Sequence, residues 1–142
     1  MSTLTPNTKV TLSKLLWVGP LTILTSVIAN LIVRALALAV FPISPEFMPL
    51  ATPGPVVAFT IIGVLSAVIL FALLGRFTKN PVRLFQVIAA VFLIVSFIPD
   101  LALFSAVAAF PGVTVPAVVA LMSMHVVAGA ITVGLLSRLT QN

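Results

Sequence analysis

The chain has 142 residues, 61% of them hydrophobic and 6% charged, with a mean hydropathy of +1.35; a soluble core of that size would leave too much apolar surface in water. Seven basic residues against two acidic ones give a net charge of +5, and the lack of cysteine excludes disulfides, thiolate chemistry and Cys-based metal sites. One histidine cannot build a zinc site, so no metal or other cofactor is expected, and the basic residues sit at the ends of apolar runs, where a bilayer rather than nucleic acid explains them.

Four apolar runs, at 15–41, 56–75, 84–104 and 116–136, are each long enough to cross a hydrocarbon core of about 30 Å at about 1.5 Å per residue. The expectation is an all-α integral membrane four-helix bundle forming one domain over 1–142. Lys9 and Lys14 precede the first run, and Ala35-Leu36-Ala37 and Ala37-Leu38-Ala39 mimic a signal-peptidase site. The run is too long for a signal h-region and carries Asn30 and Arg34, so an uncleaved first span is expected. Gly19-Pro20 predicts a kink, or a start later than Leu15. Trp17 fits an anchor at the inner interface.

The first outer loop, 41–55, is rich in proline yet apolar. Proline blocks regular helix there. Phe47, Met48 and Leu50 favour the membrane or the bundle over water. Two readings stand: a lid over the outer mouth, or a connector at headgroup level. Pro55 and Pro116 can open spans two and four, and Asn80-Pro81 offers an N-cap with proline at the first helical position of span three. Ile98-Pro99 should loosen span three just before Asp100. Gly63, Ala67, Gly129 and Gly134 read as sites of close helix contact.

Six of the seven basic residues fall on one side of this plan. They are Lys9, Lys14, Arg76, Lys79, Arg83 and Arg138, while the opposite loops hold only Glu46. The positive-inside rule then puts both termini in the cytoplasm. A repeat at an offset of 62 matches Val56-Val57-Ala58 with Val118-Val119-Ala120, and Leu73-Leu74-Gly75-Arg76-Phe77-Thr78 with Leu135-Leu136-Ser137-Arg138-Leu139-Thr140. Two repeated hairpins about an axis along the membrane normal would produce it, and so would chance similarity between apolar helices.

Charge inside a span is costly unless paired or wetted. Counting from the basic anchors at about 1.5 Å per residue puts Arg34 at ~30 Å, Asp100 at ~26 Å, Asn30 at ~24 Å and His125 at ~20 Å. Thr22, Ser26, Asn30 and Arg34 recur every four residues, one helical stripe, and Ser96 and Asp100 repeat that spacing. The expectation is one polar site in the outer half. Arg34 pairs with Asp100, Asn30 and Ser96 add hydrogen bonds, and His125 faces them. The pair is either a structural clasp between spans one and three or a functional site. Arg34 could instead snorkel to the outer headgroups. His125 is either a hydrogen-bonded interior residue or a titrating switch coupled to Asp100.

The end of span three, Ser96-Phe97-Ile98-Pro99-Asp100, and the Met124-His125-Val126-Val127-Ala128 segment of span four resemble an uncharacterised family of small four-span bacterial membrane proteins, a domain of unknown function. The basic middle loop agrees with that plan. The resemblance implies a bacterial cytoplasmic (inner) membrane location and no activity. Three functional readings follow. The first is a structural, accessory or ligand-sensing membrane protein working as a homo-oligomer or beside a membrane partner. The second is a small transporter or proton-coupled carrier using Arg34, Asp100 and His125. The third is a membrane enzyme with a His–Asp acid/base pair, for which no nucleophile, metal set or phosphate loop is seen.

Overall fold

Proline and threonine punctuate the helix starts in the computed structural model, which describes residues 10–141. Lys9 lies outside the described residues. A 3-10 turn, Leu12–Lys14, leads straight into α1, Leu15–Val40. α1 starts at Leu15, not later, and continues through Pro20, whose missing N–H costs one ladder bond near the helix start. A single turn, α2 (Met48–Ala51), interrupts the first outer loop. It is followed by α3 (Pro53–Phe77), α4 (Pro81–Ala102), a 3-10 turn (Leu103–Ser105) and α5 (Val115–Leu139).

A proline occupies the first or second position of α3, α4 and α5, where its missing N–H has no helical partner to lose. Pro53, not Pro55, opens α3, because Thr52 is the last extended residue and the whole Pro53-Gly54-Pro55 segment fits a first turn that needs no donors. The Thr114 hydroxyl caps α5 by accepting from the Ala117 N–H at 3.4 Å. Asn80 stands at the N-cap position of α4 but makes no capping bond with its side chain.

Four helices are long and apolar enough to cross a membrane, and the described residues form an all-α, four-span bundle. The helices follow one another round a ring. α1 packs against α3 and α5, and α4 closes the ring against the same two, leaving α1 and α4 across the long diagonal. The two described ends of the chain meet at one end of the bundle. There the Thr11 N–H donates to the Thr140 carbonyl at 2.9 Å, and Lys14 Nζ donates to the Gln141 carbonyl at 2.9 Å. The α3–α4 hairpin turns at this same, basic end. α5 begins and ends 62 residues after α3, and both run 25 residues, so their bounds share the offset of the sequence repeat.

The interior is layered. At the basic end Leu15, Val18, Phe71, Phe85 and Leu136 form one apolar cluster, with Phe71 and Phe85 edge to face at 4.9 Å. At the outer end Ala37, Phe47, Leu50, Val56, Ala117, Ala120 and Met124 form another. Between them lie buried hydroxyls and an amide: Thr22, Ser26 and Asn30 from α1, Thr60 from α3 and Thr132 from α5. Lipid tails are as apolar as leucine, so apolar contact alone gives the helices little reason to associate. Close packing at the two ends and hydrogen bonding between them supply it.

The first outer loop is neither a free lid nor a connector lying flat. Phe47 and Leu50 are fully buried in the outer cluster and plug the bundle, while Met48 faces outward. The second outer loop docks on the first through Gly112, whose φ of +77° and close approach to Ser44 both demand glycine. The other glycines divide unexpectedly. A Cβ on Gly19 would meet Val68 Cγ1 at 3.2 Å, so α1 and α3 do approach closely there. A Cβ on Gly63, Gly129 or Gly134 would meet nothing within 4 Å. The reading of these three as contact sites inside the bundle is therefore corrected: they sit on faces that no described helix covers. Ala67 does pack at the basic-end cluster.

Gly112→Ala should destabilise the detergent-solubilised protein by about 1–3 kcal/mol, since it adds strain at a positive φ and a clash with Ser44. Gly63→Ala, in open space, should be neutral or slightly stabilising. Thermal unfolding of both variants checks the pair; equal melting temperatures would remove the loop-on-loop contact from the account.

Candidate functional site

Asp100 lies on the last turn of α4, immediately after Pro99. The proline carries no N–H, so the carbonyl one turn back loses its helical partner and the helix end is loosened where the carboxylate sits. His125 lies in the middle third of α5, the neighbouring helix. The two side chains meet, with His125 Nε2 3.2 Å from Asp100 Oδ2. Their exposures differ: 10% for the Asp100 side chain and 44% for His125. The ring N–H does not aim at the oxygen well enough for a hydrogen bond, and Oδ2 is buried with no hydrogen-bond partner among the described residues. The contact is close charge proximity, which becomes an ion pair when the imidazole is protonated.

Arg34 is elsewhere. Its Nε donates to the Leu50 carbonyl and its Nη2 to the Ala51 carbonyl, both at 3.0 Å. These are the last two carbonyls of α2, a helix too short to satisfy them itself. A cation at a helix C-terminus is favourable, and the guanidinium fork suits two adjacent oxygens. The expected Arg34–Asp100 ion pair is therefore corrected. α1 and α4 stand across the diagonal of the ring, and the outer loop brings bare carbonyls to Arg34 first. Arg34 pins the plug instead of clasping span three.

Asn30 and Ser96 do not join Asp100 either. Asn30 Nδ2 donates to Thr60 Oγ1 across the α1–α3 interface at 3.0 Å, fully buried. Ser96 bonds back to the Leu93 carbonyl of its own helix at 2.6 Å. Asn30 Oδ1 and Ser26 Oγ remain buried without partners among the described residues. The five residues expected to form one site thus divide into four places: the Asp100–His125 pair, the Arg34 loop anchor, the Asn30–Thr60 bond inside the bundle and Ser96 bonded within its own helix. Thr60 was not expected. Counted back from Phe77 at about 1.5 Å per residue it stands ~26 Å up, near the level of Asn30, and that match was the available signal. Among the described residues no three His, Cys, Asp or Glu side chains gather to hold a metal ion.

A family described as a family of unknown function (DUF6069) matches residues 10–142. The chain belongs to this family. No curated protein and no solved structure matches it significantly.

Double-mutant cycles on unfolding free energy separate the two pairings. Asp100→Asn with His125→Gln should be non-additive by about 0.5 kcal/mol or more, and Arg34→Gln with Asp100→Asn should add within roughly that margin. Strong coupling between Arg34 and Asp100 would contradict the observed geometry.

Proposed function

We propose that this family member is a non-catalytic accessory protein of a cytoplasmic membrane, a single four-span unit with both ends inside, that self-associates through the α5 face carrying His125 and Gly129. The orientation is supported by charge. Lys14, Arg76, Lys79, Arg83 and Arg138 all belong to the basic end, and Glu46 is the one charged residue of the outer loops. A short-loop bias of that kind sets orientation during insertion.

One observation carries self-association: an imidazole at membrane depth is 44% exposed on a helix whose neighbouring Val119 and Val126 also face outward. A polar ring turned to lipid is unfavourable, and polar residues in spans normally face protein. Gly129 follows one helical turn after His125, and the space beside it is open. A polar side chain next to a glycine notch is the pattern by which membrane helices approach closely and hydrogen-bond. A second copy brings the same notch, so a two-fold interface is self-complementary. Asp100, buried behind His125, lies 3.2 Å from the ring and leaves the exposed face of the imidazole for a contact with the partner.

The carrier reading is supported less well. It requires Arg34, Asp100 and His125 in one pathway, whereas Arg34 is spent on α2 and the outer end is filled by Phe47 and Leu50. A flux pathway would need the plug released.

The chain lacks cysteine, so a single Gln141→Cys label serves both parts of the proposal. In sealed right-side-out vesicles an impermeant maleimide should leave it unmodified, and in inverted vesicles it should react. With a fluorophore at that position, photobleaching of liposomes should show wild-type dimers, and His125→Ala and Gly129→Leu should shift the population to monomers. A truncated polar contact of this kind weakens association by about 1 kcal/mol, roughly fivefold. Wild-type protein that stays monomeric at every lipid dilution would end the proposal.

A further inference from the structure

At the opposite end of the bundle from Asp100, the α3–α4 hairpin borders a shallow, open groove of about 350 Å³ lined by Thr78, Lys79, Asn80, Arg83, Leu84 and Val87. Its two walls differ in chemistry. The loop wall carries Lys79 and Arg83, both exposed. No carboxylate offsets them, because the two acidic residues of the chain, Glu46 and Asp100, belong to the outer half. Thr78 is committed to the Leu74 carbonyl at 2.8 Å, but the Asn80 carboxamide is not used for capping and is free to donate outward. The membrane wall is apolar. Leu84 is 40%, Val87 55% and Val91 58% exposed, and their spacing of three and four residues makes one stripe down the outward face of α4.

We infer that this groove binds the headgroup phosphate of an anionic phospholipid, with Lys79 and Arg83 on the phosphate and an acyl chain along Leu84, Val87 and Val91. The two cations suit a phosphate in complementary ways, Lys79 as a mobile point charge and Arg83 as a planar fork of donors. The stripe begins where the cations end, which matches a head joined to a tail. Free phosphate answers the first wall and not the second. A zwitterionic lipid carries its own ammonium, which competes with Lys79 and Arg83. Of the other described cations at this end, Lys14 is tied to the Gln141 carbonyl. The inference is independent of self-association through α5, which lies on other helix faces.

The test uses the full chain purified in non-ionic detergent, so that removing loop charges cannot alter its insertion. Native mass spectrometry follows retention of phosphatidylglycerol or phosphatidylcholine added at equal mole fraction. The wild type should retain phosphatidylglycerol preferentially. The double variant Lys79→Gln/Arg83→Gln should weaken that retention roughly 30-fold, the combined effect of two headgroup-level cations, with phosphatidylcholine unchanged. Lys79→Arg/Arg83→Lys should restore it, and Arg138→Gln should leave it nearly intact. Inorganic phosphate at the lipid concentration should displace nothing. If the double variant has lost its fold by melting temperature, Lys79→Gln alone is read, with an expected loss of about fivefold. The inference is overturned by equal retention of the two lipids, by a loss with Arg138→Gln as large as with the double variant, or by displacement with inorganic phosphate.

Discussion

A polar group inside a bilayer must find its partner within the protein, and that requirement arranges this chain more than apolar packing does. The middle of the bundle is polar, with Thr22, Ser26, Asn30, Thr60 and Thr132 turned inward. Its outside is leucine, isoleucine, valine and phenylalanine. The bond from Asn30 to Thr60 ties α1 to α3 where neither apolar cluster reaches. The same requirement accounts for Arg34. A guanidinium in the outer half needs acceptors, and a single helical turn with unpaired carbonyls needs donors, so each resolves the other. With that contact made, Phe47 and Leu50 are held in the outer core, and Gly112 lets the second loop settle over the first.

Ser26 Oγ and Asn30 Oδ1 lack partners inside the bundle, but at His125 the requirement goes unmet on an exposed face. Its partner Asp100 is buried, but the ring itself is half open to the membrane face and the carboxylate keeps an unused oxygen. Every other span charge or amide in the outer half has at least one hydrogen bond within the chain. This asymmetry sets the α4–α5 face apart from the closed interior of the bundle. The two ends of the bundle have separate chemistry: one pinned and plugged by the 41–52 loop, the other rich in basic side chains.

Much of the fold was legible in the amino-acid order, for a simple reason. A run of some twenty apolar residues is a one-dimensional signal, and so is a Pro-bearing helix start. The Thr22–Ser26–Asn30 stripe was also legible, because four-residue spacing fixes a face and lipid decides which way that face turns. The site was read less well. Counting residues gives the height of a group in its helix and leaves its direction around the ring open. Arg34 and Asp100 stand at similar heights on helices that do not adjoin. The acceptors Arg34 uses are backbone carbonyls, which no side-chain pattern displays. Gly63, Gly129 and Gly134 were misassigned for the same reason: glycine marks room for a close approach without saying whether the neighbour belongs to this chain or to another.

The central claim is that Asp100 belongs to His125 and not to Arg34. The chain contains one histidine and one aspartate, so residue-type isotope labels are unambiguous. The direct measurement is a solid-state NMR distance in lipid between the labelled imidazole nitrogens of His125 and the carboxyl carbon of Asp100, alongside the corresponding distance from arginine guanidinium nitrogens. The account predicts strong dephasing between His125 and Asp100, consistent with the 3.2 Å Nε2–Oδ2 approach, and none from arginine. Dephasing of the Asp100 carboxyl by an arginine with none from His125 would contradict it.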